Sequence, residues 1–371
     1  MVAYLDHAAT SPLRPKALAA MEPYLTEQYG NPSSGHSLGR RARQAVDEAR
    51  ETVAACLGAQ PGEVVFTGSG TEADNLAVSG ARGDGVVVCT AVEHHAVLHP
   101  VESVGGRVVG VDGNGVIDLD ALAAALDPSV TVVSVMLVNN EVGTIQPLEQ
   151  VVEVVLAHAP NAVLHTDAVQ AFPWVDVSHA ARDASLISVS AHKFGGPKGV
   201  GALVVRDGTP VRAQILGGGQ ERDRRSGTTD VAGVVGMAAA MALTHTTRAA
   251  TVGRVARLRD RLANELLKRV PGTAETGDRG GKVAGNCHLR FEGVESEALL
   301  VLLDDAGVCG SAGSACASGA IEPSHVLLAM GLTAAEAATS IRLSLGATTT
   351  AEDIDLALKA VPDAVAQLRN G

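Results

Sequence analysis

Short apolar runs punctuate the chain at intervals. They include Val64-Val65-Phe66-Thr67, Val86-Val87-Val88-Cys89, Val132-Val133-Ser134-Val135-Met136, Ala162-Val163-Leu164-His165 and Ser185-Leu186-Ile187-Ser188-Val189. Runs of this length, rich in branched side chains, read as buried strands. Between them, apolar positions recur at helical spacing from Pro12 to Tyr24, Ser37 to Leu57, Leu119 to Leu126 and Leu148 to Ala157. Strand and helix in alternation predict an α/β fold with a mostly parallel central sheet flanked by helices. After about Gly233 the pattern changes. A long helical stretch, Val234 to Val270, carries Arg and Lys on its polar face. Asn286 to Phe291 and Ser296 to Leu303 then read as a strand and a helix, so the C-terminal third is expected to be a second, smaller α/β domain. No internal repeat or low-complexity tail interrupts the scheme.

Composition narrows the function classes. A chain of 371 residues is long enough for a large core and two domains. Its formal charge of −12 gives no basic footprint for nucleic acid. Aromatic residues make up only 2%, so the core is aliphatic and few rings are available to stack on a ligand. Five Cys without paired spacing point to reduced thiols in a cytoplasmic protein, and no Cys/His set has zinc-ligand spacing. The N-terminus shows no basic segment followed by an apolar one, and no apolar run reaches about 18 residues. Neither a signal peptide nor a membrane span is expected.

The candidate chemistry lies where strands end. Ser190-Ala191-His192-Lys193-Phe194-Gly195-Gly196-Pro197-Lys198-Gly199 places a Lys directly after a His, in a Gly/Pro loop closing the 185–189 run. A Lys held there can lose solvation, so that its amine becomes partly neutral and nucleophilic. That is the property of a Schiff-base lysine, most often one holding pyridoxal phosphate. The competing reading is a solvated surface charge. Leu164-His165-Thr166-Asp167 is another strand end, and it finishes on an acid. A carboxylate against the pyridine nitrogen of pyridoxal phosphate keeps that nitrogen protonated; a helix N-cap is the competing reading. Gly68-Ser69-Gly70-Thr71-Glu72 follows the 64–67 strand and opens a helix-like segment. Unpaired backbone N–H groups and the helix dipole there suit a phosphate. Phosphate cradle, ring acid and Lys thus occur in that order along one α/β chain.

Among the thiols, Cys316 has the most telling context, Gly310-Ser311-Ala312-Gly313-Ser314-Ala315-Cys316-Ala317-Ser318-Gly319. Side chains this small cannot pack a core, so the segment is expected to be exposed and able to move a thiol between a cofactor and an outside acceptor. Cys56, Cys89 and Cys287 read as small core residues, and Cys309 as core or hinge at the root of that loop. His94, in Glu93-His94-His95, supplies an imidazole where aromatics are scarce.

The joint pattern resembles the cysteine desulfurases of the class V aminotransferase family, in the NifS and IscS branch. The resemblance runs over essentially the whole chain. It rests on Tyr4-Leu5-Asp6-His7-Ala8-Ala9-Thr10, Gly30-Asn31-Pro32-Ser33-Ser34 and Glu93-His94-His95-Ala96-Val97-Leu98. It continues through Asn139-Asn140-Glu141-Val142-Gly143, Arg225-Ser226-Gly227-Thr228, Gly313-Ser314-Ala315-Cys316 and Ile341-Arg342-Leu343-Ser344-Leu345-Gly346. It implies a pyridoxal-phosphate-dependent transferase fold (aspartate aminotransferase-like, fold type I). A large cofactor-binding domain would span 14–248, and residues 1–13 and 249–371 would form a small domain carrying the cysteine loop.

The resemblance also implies the roles. Lys193 would hold pyridoxal phosphate as a Schiff base, Asp167 would pair with the pyridine nitrogen, and Gln170 would donate to the ring hydroxyl. His94 would stack on the ring and handle protons. Thr71, Ser190 and His192, with the backbone at Gly70, would hold the phosphate. Thr228 would reach the phosphate of a neighbouring subunit, which implies a homodimer. Arg342 would take the substrate carboxylate, and Asn140 would help orient the substrate. Cys316 would accept sulfur from L-cysteine as a persulfide, leaving L-alanine, and pass it to an acceptor protein for iron–sulfur cluster or other thio-cofactor assembly. Cys309 matches no family feature. The chain stops at Arg369-Asn370-Gly371, whereas IscS-type proteins carry a further tail that helps dock a scaffold protein, so the acceptor stays open. A selenocysteine lyase, another class V enzyme such as a kynureninase, and a catalytically silent sulfur-relay subunit are the alternative readings. The Gly313-Ser314-Ala315-Cys316 segment speaks against an ordinary transaminase, and the joint presence of Lys193, Asp167, Cys316 and Arg342 speaks against a silent subunit.

Overall fold

The computed structural model describes residues 2–312 and 323–370. Twelve strands form within them: β1 (Ala3–Tyr4), β2 (Val64–Thr67), β3 (Val86–Thr90), β4 (Arg107–Val109), β5 (Val130–Ser134), β6 (Val163–Asp167), β7 (Leu186–Ser190), β8 (Gly201–Val205), β9 (Thr273–Glu275), β10 (Asn286–Phe291), β11 (Val308–Cys309) and β12 (Ser340–Ser344). Seven of them make the main sheet, in the order β2-β8-β7-β6-β5-β3-β4. All run parallel except β8, which opposes both of its neighbours.

Alternation explains why the runs are apolar throughout. Successive side chains of a strand point to opposite faces. Val64, Phe66, Ile187 and Val204 therefore join the core on one face, with Val46 and Val53 of the helix Ser37–Cys56. Val65, Leu186, Leu203 and Val205 join the core on the other, with Leu76 of the helix Gly70–Ala81 and Val97 of the helix His95–Ser103. Each fully buried Val or Leu stabilises the fold by roughly 1.5–3 kcal/mol relative to an exposed one.

The carboxyl ends of β2, β3, β5, β6 and β7 lie on one side of the sheet, where open α/β sheets place ligands. β8 begins there, opposite both Thr67 and Ser190. Its first residue is Gly201, where an added Cβ would meet the Ser69 backbone at 2.6 Å. The strand can therefore start against the Ser69–Gly70 turn only with no side chain.

A second core gathers Leu5, Val255, Leu262, Leu289, Phe291, Leu343 and Ile354. Around it lie the antiparallel sheet β12-β10-β9 and the parallel pair β1-β11, in which Tyr4 stands opposite Cys309. The helix Val231–Arg269 contributes Met237 and Met241 to the first core and Val255 and Leu262 to the second. Trp174, the one tryptophan of the chain, packs against both.

Two helix starts differ from expectation. The long helix begins at Val231 because the Asp230 carboxylate accepts from Gly233 N at 2.9 Å and caps it. The first helix begins at Pro15 rather than Pro12, because Ser11 N and Arg14 N donate to His192 O and Gly195 O instead. That detour ties the N-terminal segment to the lysine loop. No helix among the described residues is long and apolar enough to cross a membrane.

Candidate functional site

A cavity of about 370 Å³ opens at the carboxyl ends of the strands. Gly70, Thr71, His94, Asn140, Asp167, Gln170, Ser190, His192, Lys193 and Arg342, spread over most of the chain, all line it. Ala8, Ala9, Ser69, Asp74 and Val169 complete the wall. Thr228 does not reach this cavity; it is exposed on the surface loop that precedes the helix Val231–Arg269. Cys316 lies outside the described residues, with Gly313, Ser314 and Ala315.

One wall is the start of the helix Gly70–Ala81. Ser69 caps it, its hydroxyl accepting from Glu72 N at 3.1 Å. A Cβ on Gly70 would stand 2.8 Å from Val169 Cγ2 and 3.2 Å from Ser190 Cβ. Glycine thus lets the helix start approach the ends of β6 and β7 and keeps the cradle open. The first N–H groups of the helix, with the hydroxyls of Thr71 and Ser190, make a donor set for an anion.

Asp167 closes β6 and is 4% exposed. Its Oδ1 accepts from Val169 N at 2.8 Å, and no helix follows for it to cap. Burial pushes its carboxyl up to about 6, against the pull of that hydrogen bond and of Lys193. Below it sits Asp74, also buried, whose carboxyl is raised by burial and by the Asp167 charge. Asp74 is held by Ser188, which with Ser134 also brackets His165 at 2.9 and 2.8 Å. His165 is fully buried and its proton affinity is lowered to about 3, so the ring that approaches Asp74 at 3.6 Å is neutral at pH 7. Two carboxyls in one buried site oppose each other's ionisation, and the Lys193 charge acts against this at Asp167.

Lys193 lies in the short turn after β7. Its Nζ donates to Ala8 O at 2.5 Å and Ala9 O at 2.9 Å. Gln170 Nε2 also donates to Ala8 O, at 2.6 Å. His192 Nδ1 is 3.1 Å from the Thr10 hydroxyl. The N-terminal segment therefore forms the floor beneath the lysine.

His94 caps the helix His95–Ser103, with Nδ1 accepting from Ala96 N at 3.1 Å. That leaves the ring proton on Nε2. Burial, then the positive charge of Lys193, lowers its affinity for a second proton to about 4, so the ring is neutral at pH 7. Asn140 sits in a turn fixed by Asn139, whose Oδ1 accepts from Glu141 N and Val142 N, each at 2.9 Å. Its carbonyl receives Arg342 Nη1 at 2.9 Å. Arg342 Nη2 lies 3.0 Å from Asp6 Oδ1, and Arg342 Nε has no partner among the described residues.

Several buried acids here carry no obvious sequence signal. Glu93 is fully buried, accepts from the Thr90 hydroxyl and Met136 N at 2.8 Å each, and burial pushes it up to about 8. Glu141 accepts from the Ser324 hydroxyl at 2.8 Å and is raised to about 7 by burial. Cys56, Cys89 and Cys287 are buried, and burial raises each thiol. Cys309 is half-buried in β11 and is raised by burial and by Asp304 and Asp6, so its thiolate is disfavoured. The described residues hold no cluster of His, Cys, Asp and Glu able to bind a metal.

Comparison with known proteins gives the same frame. The family model "Aminotransferase class-V" matches residues 3–357. An IscS-like cysteine desulfurase from Mycobacterium tuberculosis is 46% identical, with 99% of this chain and 97% of that protein covered. A cysteine desulfurase from Cereibacter sphaeroides is 44% identical, over 99% of this chain and 96% of that protein. A solved NifS-like protein superimposes with a TM-score of 0.92 at 34% identity, covering 99% of this chain and all of the other.

Proposed function

The chain belongs to the class V aminotransferases as a cysteine desulfurase of the NifS/IscS branch, and from that premise we propose how its own residues divide the work. The observation that carries the assignment is the cavity in which Lys193, Asp167 and the open helix start at Gly70 converge.

Enzymes of this family depend on pyridoxal phosphate, and the residues here fit it. The buried acid suits a pyridinium N–H, the helix start suits a phosphate, and Lys193 lines the same cavity. Asp167 would hold the ring nitrogen, Gln170 the ring hydroxyl, and Gly70 N, Thr71, Ser190 and His192 the phosphate. His94, neutral, would lie on the ring. When bound, the cofactor supplies an electron sink beside the substrate carbons.

Arg342 binds the carboxylate of L-cysteine, with Asn140 orienting it at the same rim. Lys193 Nζ would take the Cα proton of the substrate. Cys316, as thiolate, takes the substrate sulfur, leaving a persulfide on Cys316 and L-alanine. An acceptor protein then receives that sulfur. Thr228 completes the site of a second copy of the chain, making the working unit a homodimer. Residues 14–248 act as the cofactor-binding domain, and 1–13 with 249–371 as the domain carrying the thiol, in the reducing cytoplasm.

Borohydride reduction followed by peptide mapping tests this reading. Pyridoxal should be fixed on Lys193, and Lys193→Ala should bind the cofactor without a reducible link and without turnover. Fixation on Lys198 would overturn it.

A further inference from the structure

The loop 217–229 contains three consecutive non-glycine residues in the left-handed region: Glu221 at φ +49°, Arg222 at +56° and Asp223 at +60°. Left-handed backbone is unfavourable for L-residues with a Cβ, and a run of three persists only where the surroundings over-determine it. The restraint is visible. Glu221 Oε2 and Oε1 accept from Arg50 Nη1 and Nη2 at 2.6 and 2.8 Å, and the two side chains are 5% and 9% exposed. The pair occupies the open edge of β2, the outermost strand on that side of the main sheet. Arg50 Nη1 donates to Val64 O at 2.7 Å, and Glu221 Oε2 accepts from Phe66 N at 3.0 Å. Together they do for β2 what a neighbouring strand would do, satisfying one carbonyl and one N–H on an otherwise unpaired edge. The Arg50 guanidinium also lies over the Phe66 ring, 4.7 Å from its centre.

A second charge pair fixes the far end of the loop. Arg225 Nε donates to Glu72 Oε1 at 2.8 Å, and Glu72 Oε2 accepts from Gly68 N at 2.8 Å. On either side of the two paired residues, Gly227 N donates to Gln220 Oε1 at 2.9 Å, and the Ser226 hydroxyl accepts from Gly219 N at 3.3 Å. The loop is thus anchored at both ends and braced across its middle, yet the residue it leads to, Thr228, is exposed in the single chain.

We propose that Arg50 and Glu221 are positioning residues that hold the strained 217–229 loop so that Thr228 is presented to the cofactor phosphate of a second copy of this chain. This rests on the reading of Thr228 given above, as a group acting across the subunit interface. A strained loop left to relax would move Thr228 away from a phosphate it must meet at hydrogen-bond distance. The ion pair stores the loop in the bound geometry before the cofactor arrives.

The test is a double-mutant cycle on the holoenzyme. The readout is the rate at which bound pyridoxal phosphate leaves, followed by absorbance in the presence of a scavenger. Thr228→Ala and Glu221→Gln should each speed the loss about tenfold, the size expected for one hydrogen bond to a charged group. Combining them should speed it no further than Thr228→Ala alone, because both remove the same contact. Arg50→Lys keeps the charge but loses the two-pronged contact, and should behave like Glu221→Gln should that variant fold poorly. Fully additive effects would show that the pair only stabilises the strand edge and would overturn the proposal. No effect of Thr228→Ala would instead overturn the trans-acting reading on which it rests.

Discussion

Arg342 Nη2 stands 3.0 Å from Asp6 Oδ1, across the junction between the N-terminal segment and β12. With Nη1 on Asn140 O, both terminal nitrogens of Arg342, the residue proposed above to bind the substrate carboxylate, already have a partner. Among the described residues Arg342 Nε is left over, so an incoming carboxylate would find a free N–H but would meet the negative charge of Asp6 beside it. On the proposed reading the aspartate both holds Arg342 in place and weakens its pull on a second carboxylate.

Kinetics on two variants should separate those effects. Arg342→Lys cannot grip a carboxylate with two parallel bonds and should raise KM for L-cysteine by roughly ten- to a hundredfold, from the loss of about 1.5–3 kcal/mol in charged hydrogen bonding. Asp6→Asn keeps an acceptor but drops the competing charge, so KM should fall. A rise in KM for Asp6→Asn would show that Asp6 only positions the guanidinium.

Asp167→Asn should keep the fold and lose most of the turnover. The amide can still accept from Val169 N but cannot hold a pyridinium proton. Losing a charged, buried hydrogen bond of about 3 kcal/mol corresponds to roughly a hundredfold in rate. Alanine formation under saturating cofactor measures it, and turnover near that of the parent would reduce Asp167 to a turn residue.

Much of the architecture was legible from pattern alone. Strands such as 64–67 and 186–190 are apolar on both faces because both faces are covered, and that burial is written in their composition. Asp167 stood out because it ends such a strand, and Lys193 because it lies in the turn that follows one. The floor of the site was not. Ala8 and Ala9 meet Lys193 through backbone carbonyls, and a carbonyl carries no residue-type signal. Asp74, Glu93 and Glu141 were also missed. A carboxylate reads as solvated, and only the three-dimensional packing of the loops between strands and helices buries it. The same holds for Glu221, whose partner Arg50 lies in a helix far upstream.

Glu93 yields a pH prediction. In the folded chain burial keeps its proton until about pH 8, whereas its ordinary carboxyl value is 4.5. Between those values the native state binds one proton more than the unfolded state, so stability attributable to this group falls as pH rises and levels off above about 8. Glu93→Gln removes that titration. In urea unfolding from pH 5 to 9, the difference in stability between variant and parent should move in favour of the variant with rising pH and flatten above 8. A difference independent of pH would mean that Glu93 ionises normally in the fold.

The thiol is the centre of the account. Cys309→Ser should turn over like the parent under reducing conditions, since burial and two nearby acids disfavour its thiolate. Cys316→Ser should bind cofactor and substrate yet release no sulfide, because a hydroxyl cannot take and store sulfur. The direct measurement is mass spectrometry of the protein after a brief pulse of L-cysteine. One added sulfur on the peptide holding Cys316, with alanine formed in equal amount, is the predicted result; added sulfur on Cys309, or normal sulfide release by Cys316→Ser, would contradict it.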